Sequence, residues 1–221
     1  MWRLIRKNSP MFLLYQGMYF AFFFPLIDYD RMSSQNPLDL SFLFFLNTYM
    51  LWLILGSVWS QEQLENRSNG YAFLSTLPLR GRQIVGAKYA LVFLVTLIYV
   101  AVSLVWYSLS FDDPAFLAAG RSSLIHVASV CLFLAGLYYL GFFRFGYKRF
   151  SRFAVAAWFC LVVSPLLIQI VLKERLGRRS GDIILAITRL NPAITLSVCL
   201  VLFLGTLVLA VRCKETQDFS A

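Results

Sequence analysis

Charged residues divide this chain into long uncharged stretches of nearly equal length. Read from charge to charge, the stretches are 8–27, 40–61, 89–111, 122–143, 153–172 and 190–211, and each holds 20 to 23 residues. Roughly 20 apolar residues in a helix cross a ~30 Å hydrocarbon core. Inside lipid only α-helices and closed barrels satisfy their own backbone polar groups. The stretches here are apolar throughout rather than alternating, so the pattern predicts helices. The expected fold is an all-α integral membrane protein of six transmembrane helices, near 11–27, 41–59, 89–109, 123–143, 153–172 and 193–211. They form a single transmembrane domain over 1–221.

The connections refine this picture. Met1–Lys7 interleaves Trp2, Leu4 and Ile5 with Arg3, Arg6 and Lys7, an amphipathic segment suited to the membrane interface. It lacks a small-residue cleavage site ahead of the first span, so that span is expected to be retained. The connection 60–88 is the longest on its side. Asp112-Asp113-Pro114 is a turn signal, and Pro165 is expected to kink span five. Between 173 and 192, Ile183, Ile184, Ala186, Ile187 and Leu190 recur at helical spacing. They predict a short outer helix that Asn191-Pro192 ends before span six.

Composition agrees with a membrane setting. Hydrophobic residues make up 59% of the chain and charged ones 14%, against roughly 25% charged in soluble domains. The net charge of +9 invites a nucleic-acid reading until its distribution is considered. With the N-terminus in the cytoplasm, 13 of the 20 Lys and Arg fall in the inner segments 1–7, 62–88, 144–152 and 212–221, and the outer segments sum to zero. Cytoplasmic Lys/Arg enrichment sets the orientation of membrane proteins. Both termini are therefore expected inside, and no nucleic-acid partner is expected. The exception is the outer cluster Lys173–Arg179, read either as a solvated loop or as an attractor of anionic headgroups or substrate. Cys131, Cys160, Cys199 and Cys213 show no paired spacing, so neither a disulfide framework nor a zinc site is indicated.

Catalytic chemistry finds no foothold. Ion-coupled transporters carry their coupled charge on intramembrane ionisable residues, and here only His126 qualifies. Helix packing is its expected role, with proton carriage the alternative. No nucleophile–base pair or carboxylate cluster faces a common site, and no G-x-x-x-x-G-K-[ST] loop is present. The chain is not expected to be an enzyme or to hold a cofactor of its own. Energy for uphill movement has to come from another chain.

The 60–88 connection is suited to receive it. After span two come Glu62 and Glu65, then the break at Asn69-Gly70. The apolar cluster Tyr71, Phe73, Leu74 and Leu77 follows, and Pro78 precedes Arg80 and Arg82. A short helix with such residues docks in a groove on a soluble partner or anchors among headgroups, and the residues alone leave both readings open. The stretch Gly70-Tyr71, Phe73-Leu74, Leu77-Pro78, Arg80, Arg82, Ile84-Val85 and Lys88-Tyr89 resembles the small ABC-2 type permease family. In that family an acidic residue after the second helix, here Glu62 or Glu65, is followed by a G-Y-x-F-L-x-x-L-P pattern, a basic turn and I-V-x-x-K-Y.

The resemblance implies the permease subunit of an ATP-driven bacterial exporter in the cell membrane. It implies a coupling element at 62–78 that docks on a separate cytoplasmic ABC ATPase, with ATP and magnesium on that partner. It also implies a second permease copy, identical or not, with the pathway between the two. Gln16, Asn47 and Gln169, the most polar residues of spans one, two and five, are candidates to line that pathway or to bond neighbouring helices. The aromatic run Tyr19, Phe20, Phe22, Phe23 and Phe24 is read as belt or lipid-facing packing, or as an apolar pathway lining. An uncharged pathway favours hydrophobic or amphipathic cargo such as a peptide, drug or lipid-like molecule. Two other functions fit six helices: the substrate-capture component of an energy-coupling-factor importer, and a non-transport scaffold or immunity protein.

Overall fold

The computed structural model describes residues 47–48, 54–56, 58–60, 62–63, 65, 80–110, 113–146, 150 and 191–218. Three long helices dominate these residues: α1 (Gly81–Ser110), α2 (Pro114–Phe145) and α3 (Pro192–Asp218). Each is long and apolar enough to cross a membrane, and no strand occurs among the described residues. They contain the predicted spans 89–109, 123–143 and 193–211. Residues 47–48, 54–56 and 58–59, from predicted span two, are helical too, as are 60, 62–63 and 65 beyond it. The predicted spans 11–27 and 153–172, the amphipathic N-terminal segment and the short outer helix lie outside the described residues.

Local chemistry sets the helix ends. α1 begins at Gly81, where the Gln83 side chain accepts a hydrogen bond from the Arg80 amide at 3.1 Å. Such a contact satisfies one of the donors that a helix start leaves open. α2 opens with Asp113 as N-cap, its carboxylate accepting from the Ala115 amide at 2.9 Å, and Pro114 in the first turn. Pro is preorganised for that position because its fixed φ suits the helix and its missing N–H would have no partner there. α3 repeats the device, with the Asn191 side chain accepting from the Ala193 amide at 3.0 Å behind Pro192. α2 ends at Gly146, whose φ of +75° lies in the left-handed region that glycine enters without a Cβ clash. Its amide donates to the Phe142 carbonyl.

Both α1 and α2 therefore start before the predicted spans. Arg82 and Lys88 belong to α1 and Arg121 to α2. At 1.5 Å per residue α1 is about 45 Å long, enough to carry its ends beyond the hydrocarbon.

α2 is the central element, packing against α1 and most extensively against α3. One face of α1, with Val85, Tyr89, Val92, Tyr99 and Tyr107, is buried. The opposite face exposes Leu97, Ile98, Val105 and Leu109, and α3 exposes Ile194, Val201 and Val208. Such apolar exposure suits a lipid environment. α1 and α2 run antiparallel: the Tyr89 hydroxyl donates to the Gly136 carbonyl at 2.9 Å near one end, and Arg121 donates to Ser108 Oγ at 3.1 Å near the other. Gly136 lies at a close approach of α2 to α3. A Cβ there would lie 2.5 Å from Thr206 Oγ1 and 3.0 Å from Phe203 Cδ2, so the contact needs a residue without a side chain.

Candidate functional site

Two polar constellations are buried among these apolar helices, and each joins residues distant in sequence. The first centres on Lys88, in the second turn of α1. Its ammonium donates to Glu62 Oε1 and to Glu65 Oε2, both at 2.7 Å. The two glutamates are three apart at helical positions, a spacing that places both carboxylates on one helix face. The side chains of Lys88, Glu62 and Glu65 are only 4%, 0% and 9% exposed. Removing such ions from water costs several kcal/mol each, which the geometry has to offset through close pairing. The triad thereby ties the segment that follows predicted span two to the start of α1, closing the base of the intervening connection.

Tyr89 continues the linkage on the other side. Besides its bond to the Gly136 carbonyl, its ring lies 5.5 Å from that of Tyr139 on α2 and 5.1 Å from that of Phe203 on α3. Tyr139 is fully buried, and its hydroxyl has no hydrogen-bond partner among the described residues. Rings of Tyr138, Phe142, Phe143 and Phe150 extend the cluster. Consecutive residues thus face two ways: Lys88 to the carboxylates, Tyr89 to the helix bundle.

The second constellation centres on Asn47, which is fully buried. Its side-chain oxygen accepts from the Tyr107 hydroxyl at 2.6 Å and from the Tyr99 hydroxyl at 3.3 Å, and its amide nitrogen donates to Ser123 Oγ at 3.2 Å. Tyr99 and Tyr107 lie two turns apart on α1, and Ser123 is on α2. One amide therefore fastens the second predicted span to two other helices. His126, one turn beyond Ser123, is also buried.

The sequence-predicted residues fall into three groups. Glu62 and Glu65 are turned inward onto Lys88, and Asn47 is engaged in the hub. Arg80 and Arg82 are exposed at the start of α1. Gly70, Tyr71, Phe73, Leu74, Leu77 and Pro78 lie outside the described residues, as do Gln16 and Gln169. The ion triad was not anticipated from the sequence as a unit. Its available signal is a lysine flanking an apolar run, together with two glutamates one helical turn apart.

Buried ionic and polar links between long, lipid-compatible helices define a helical integral membrane protein. The model of the ABC-2 family transporter protein matches residues 3–211, and the chain belongs to that family. It is a membrane protein of the ABC-2 transporter type. No curated protein and no solved structure gives a significant match.

Proposed function

We propose that this chain is the permease subunit of an ATP-driven exporter in the bacterial cell membrane, energised by a separate cytoplasmic ABC ATPase. The observation that carries the reading is the family match across 3–211. It favours this function over the importer component and over the scaffold or immunity protein. The connection following Glu65 and ending at Arg80 is the ATPase-docking element, with Tyr71, Phe73, Leu74 and Leu77 as its apolar contact residues. Exposed Arg80 and Arg82 at the start of α1 and Arg144 at the end of α2 gather at the same end of the antiparallel pair. That enrichment supports a cytoplasmic position for this end.

Two permease copies, identical or paired with a second permease, enclose the pathway between them. The scarcity of intramembrane charge favours hydrophobic or amphipathic cargo, whether peptide, drug or lipid-like molecule. Asn47, with its side-chain amide engaged in the hub, acts in helix association. Inside-out vesicles carrying the permease and its ATPase test direction and cargo class. They are expected to accumulate a fluorescent amphipathic peptide on addition of ATP and magnesium. ATP-driven uptake into right-side-out vesicles loaded with the ATPase would contradict export.

A further inference from the structure

We propose that Lys88 is the positioning residue through which the cytoplasmic connection acts on the membrane helices, by clamping the base of that connection with Glu62 and Glu65. The proposal rests on the ATPase-coupling reading above and adds the route by which force leaves the docking element. A docking segment joined to its helices only through the backbone yields at its own ends when pushed. Here the ends are joined to each other: Lys88 contacts Glu62 across 26 residues and Glu65 across 23, both at 2.7 Å. Burial keeps the charges from exchanging these contacts for water, because each would leave a desolvated ion without its counter-ion.

The neighbouring residue completes the route. Tyr89 holds the Gly136 carbonyl at 2.9 Å and packs on Phe203 of α3. Gly136 in turn has no room for a side chain against Thr206 and Phe203. A displacement of the clamped base therefore reaches α1 through Lys88, and α2 and α3 through Tyr89, by side-chain contacts in addition to the backbone. Glu62 and Glu65 serve coupling from inside the clamp, while the ATPase contacts belong to the connection between them and Arg80.

The test uses the full chain with its copurifying ATPase. Nitroxides are attached at Leu97→Cys on α1 and Leu209→Cys on α3, both exposed positions, after Cys131, Cys160, Cys199 and Cys213 are replaced by alanine. The inter-nitroxide distance is measured without nucleotide and after trapping with ATP, magnesium and vanadate. With the ion triad intact, trapping is expected to shift the distance. The neutral triple variant Glu62→Gln/Glu65→Gln/Lys88→Met removes all three charges of the clamp together. It is expected to retain the ATPase and lose the shift, whereas Lys88→Arg, which preserves the ion pairs, is expected to keep it.

An undiminished shift in the triple variant overturns the proposal, as does loss of the ATPase from it, which would make the triad part of the docking surface. Should the triple variant fail to accumulate, Glu62→Gln, with one Lys88–Glu65 pair remaining, is expected to bind the ATPase and show a smaller shift. An unchanged shift there likewise overturns the clamp. Absence of any ATPase from the chain with its triad intact would instead remove the coupling reading beneath it.

Discussion

Lys88 and Glu62 stand 26 residues apart in sequence and 2.7 Å apart in space. The ammonium that joins them also holds Glu65, so one lysine serves two carboxylates in a region sheltered from water. Single and combined substitutions should therefore differ in magnitude. Lys88→Met leaves two buried carboxylates without this counter-ion, and breaking a buried ion pair costs about 3–5 kcal/mol. The neutral triple variant removes the three charges together and is expected to lose less stability than Lys88→Met, since buried ion pairs are often replaced without loss. Thermal unfolding in detergent, followed by circular dichroism, checks both. Equal stability of Lys88→Met and the unaltered chain would contradict the paired geometry.

The Asn47 hub has a different energetic character because its groups are neutral. Interhelical hydrogen bonds in membranes contribute about 0.6 kcal/mol each on average. Among the described residues Asn47 makes three, to Tyr99, Tyr107 and Ser123. Asn47→Leu is expected to lower stability by roughly 2 kcal/mol on that average, without abolishing insertion. Transport should fall no further than this lost stability explains. A selective change in cargo preference at full stability would instead place Asn47 on the pathway.

Orientation is testable at the two ends of α1. Gln83 is exposed near the start, and Leu109 is 80% exposed near the end. In the cysteine-free background, Leu109→Cys should react with a membrane-impermeant maleimide added to intact cells. Gln83→Cys should react only after the membrane is opened. The reverse pattern would invert the topology.

The helices were legible where a single interaction decides them. Uninterrupted apolar runs marked α1, α2 and α3, because no charge interrupts the hydrocarbon-length core of each. Their starts were harder to read. Taking each charge as a boundary excludes Lys88 and Arg121, yet a helix continues through charged residues that pair or reach the interface. Lys88 is paired and Arg121 is exposed, donating to Ser108. Asp113-Pro114 and Asn191-Pro192 read as breaks, and they are the caps that start the following helices. Polarity singled out Asn47 and the glutamates individually, but their partners lie 23 to 76 residues away. Only packing of the helices brings those groups together.

We propose that this ABC-2 family membrane protein is driven by an ATPase docked on the connection between Glu65 and Arg80. The direct measurement is a gentle-detergent pull-down of the tagged chain from native membranes, with its partners quantified by mass spectrometry. The same pull-down is run on Phe73→Asp/Leu74→Asp. A stoichiometric Walker-motif ATPase is expected with the unaltered chain, and its loss is expected from the double variant, which remains inserted. No ATPase with the unaltered chain, or an undiminished one with the double variant, would contradict it.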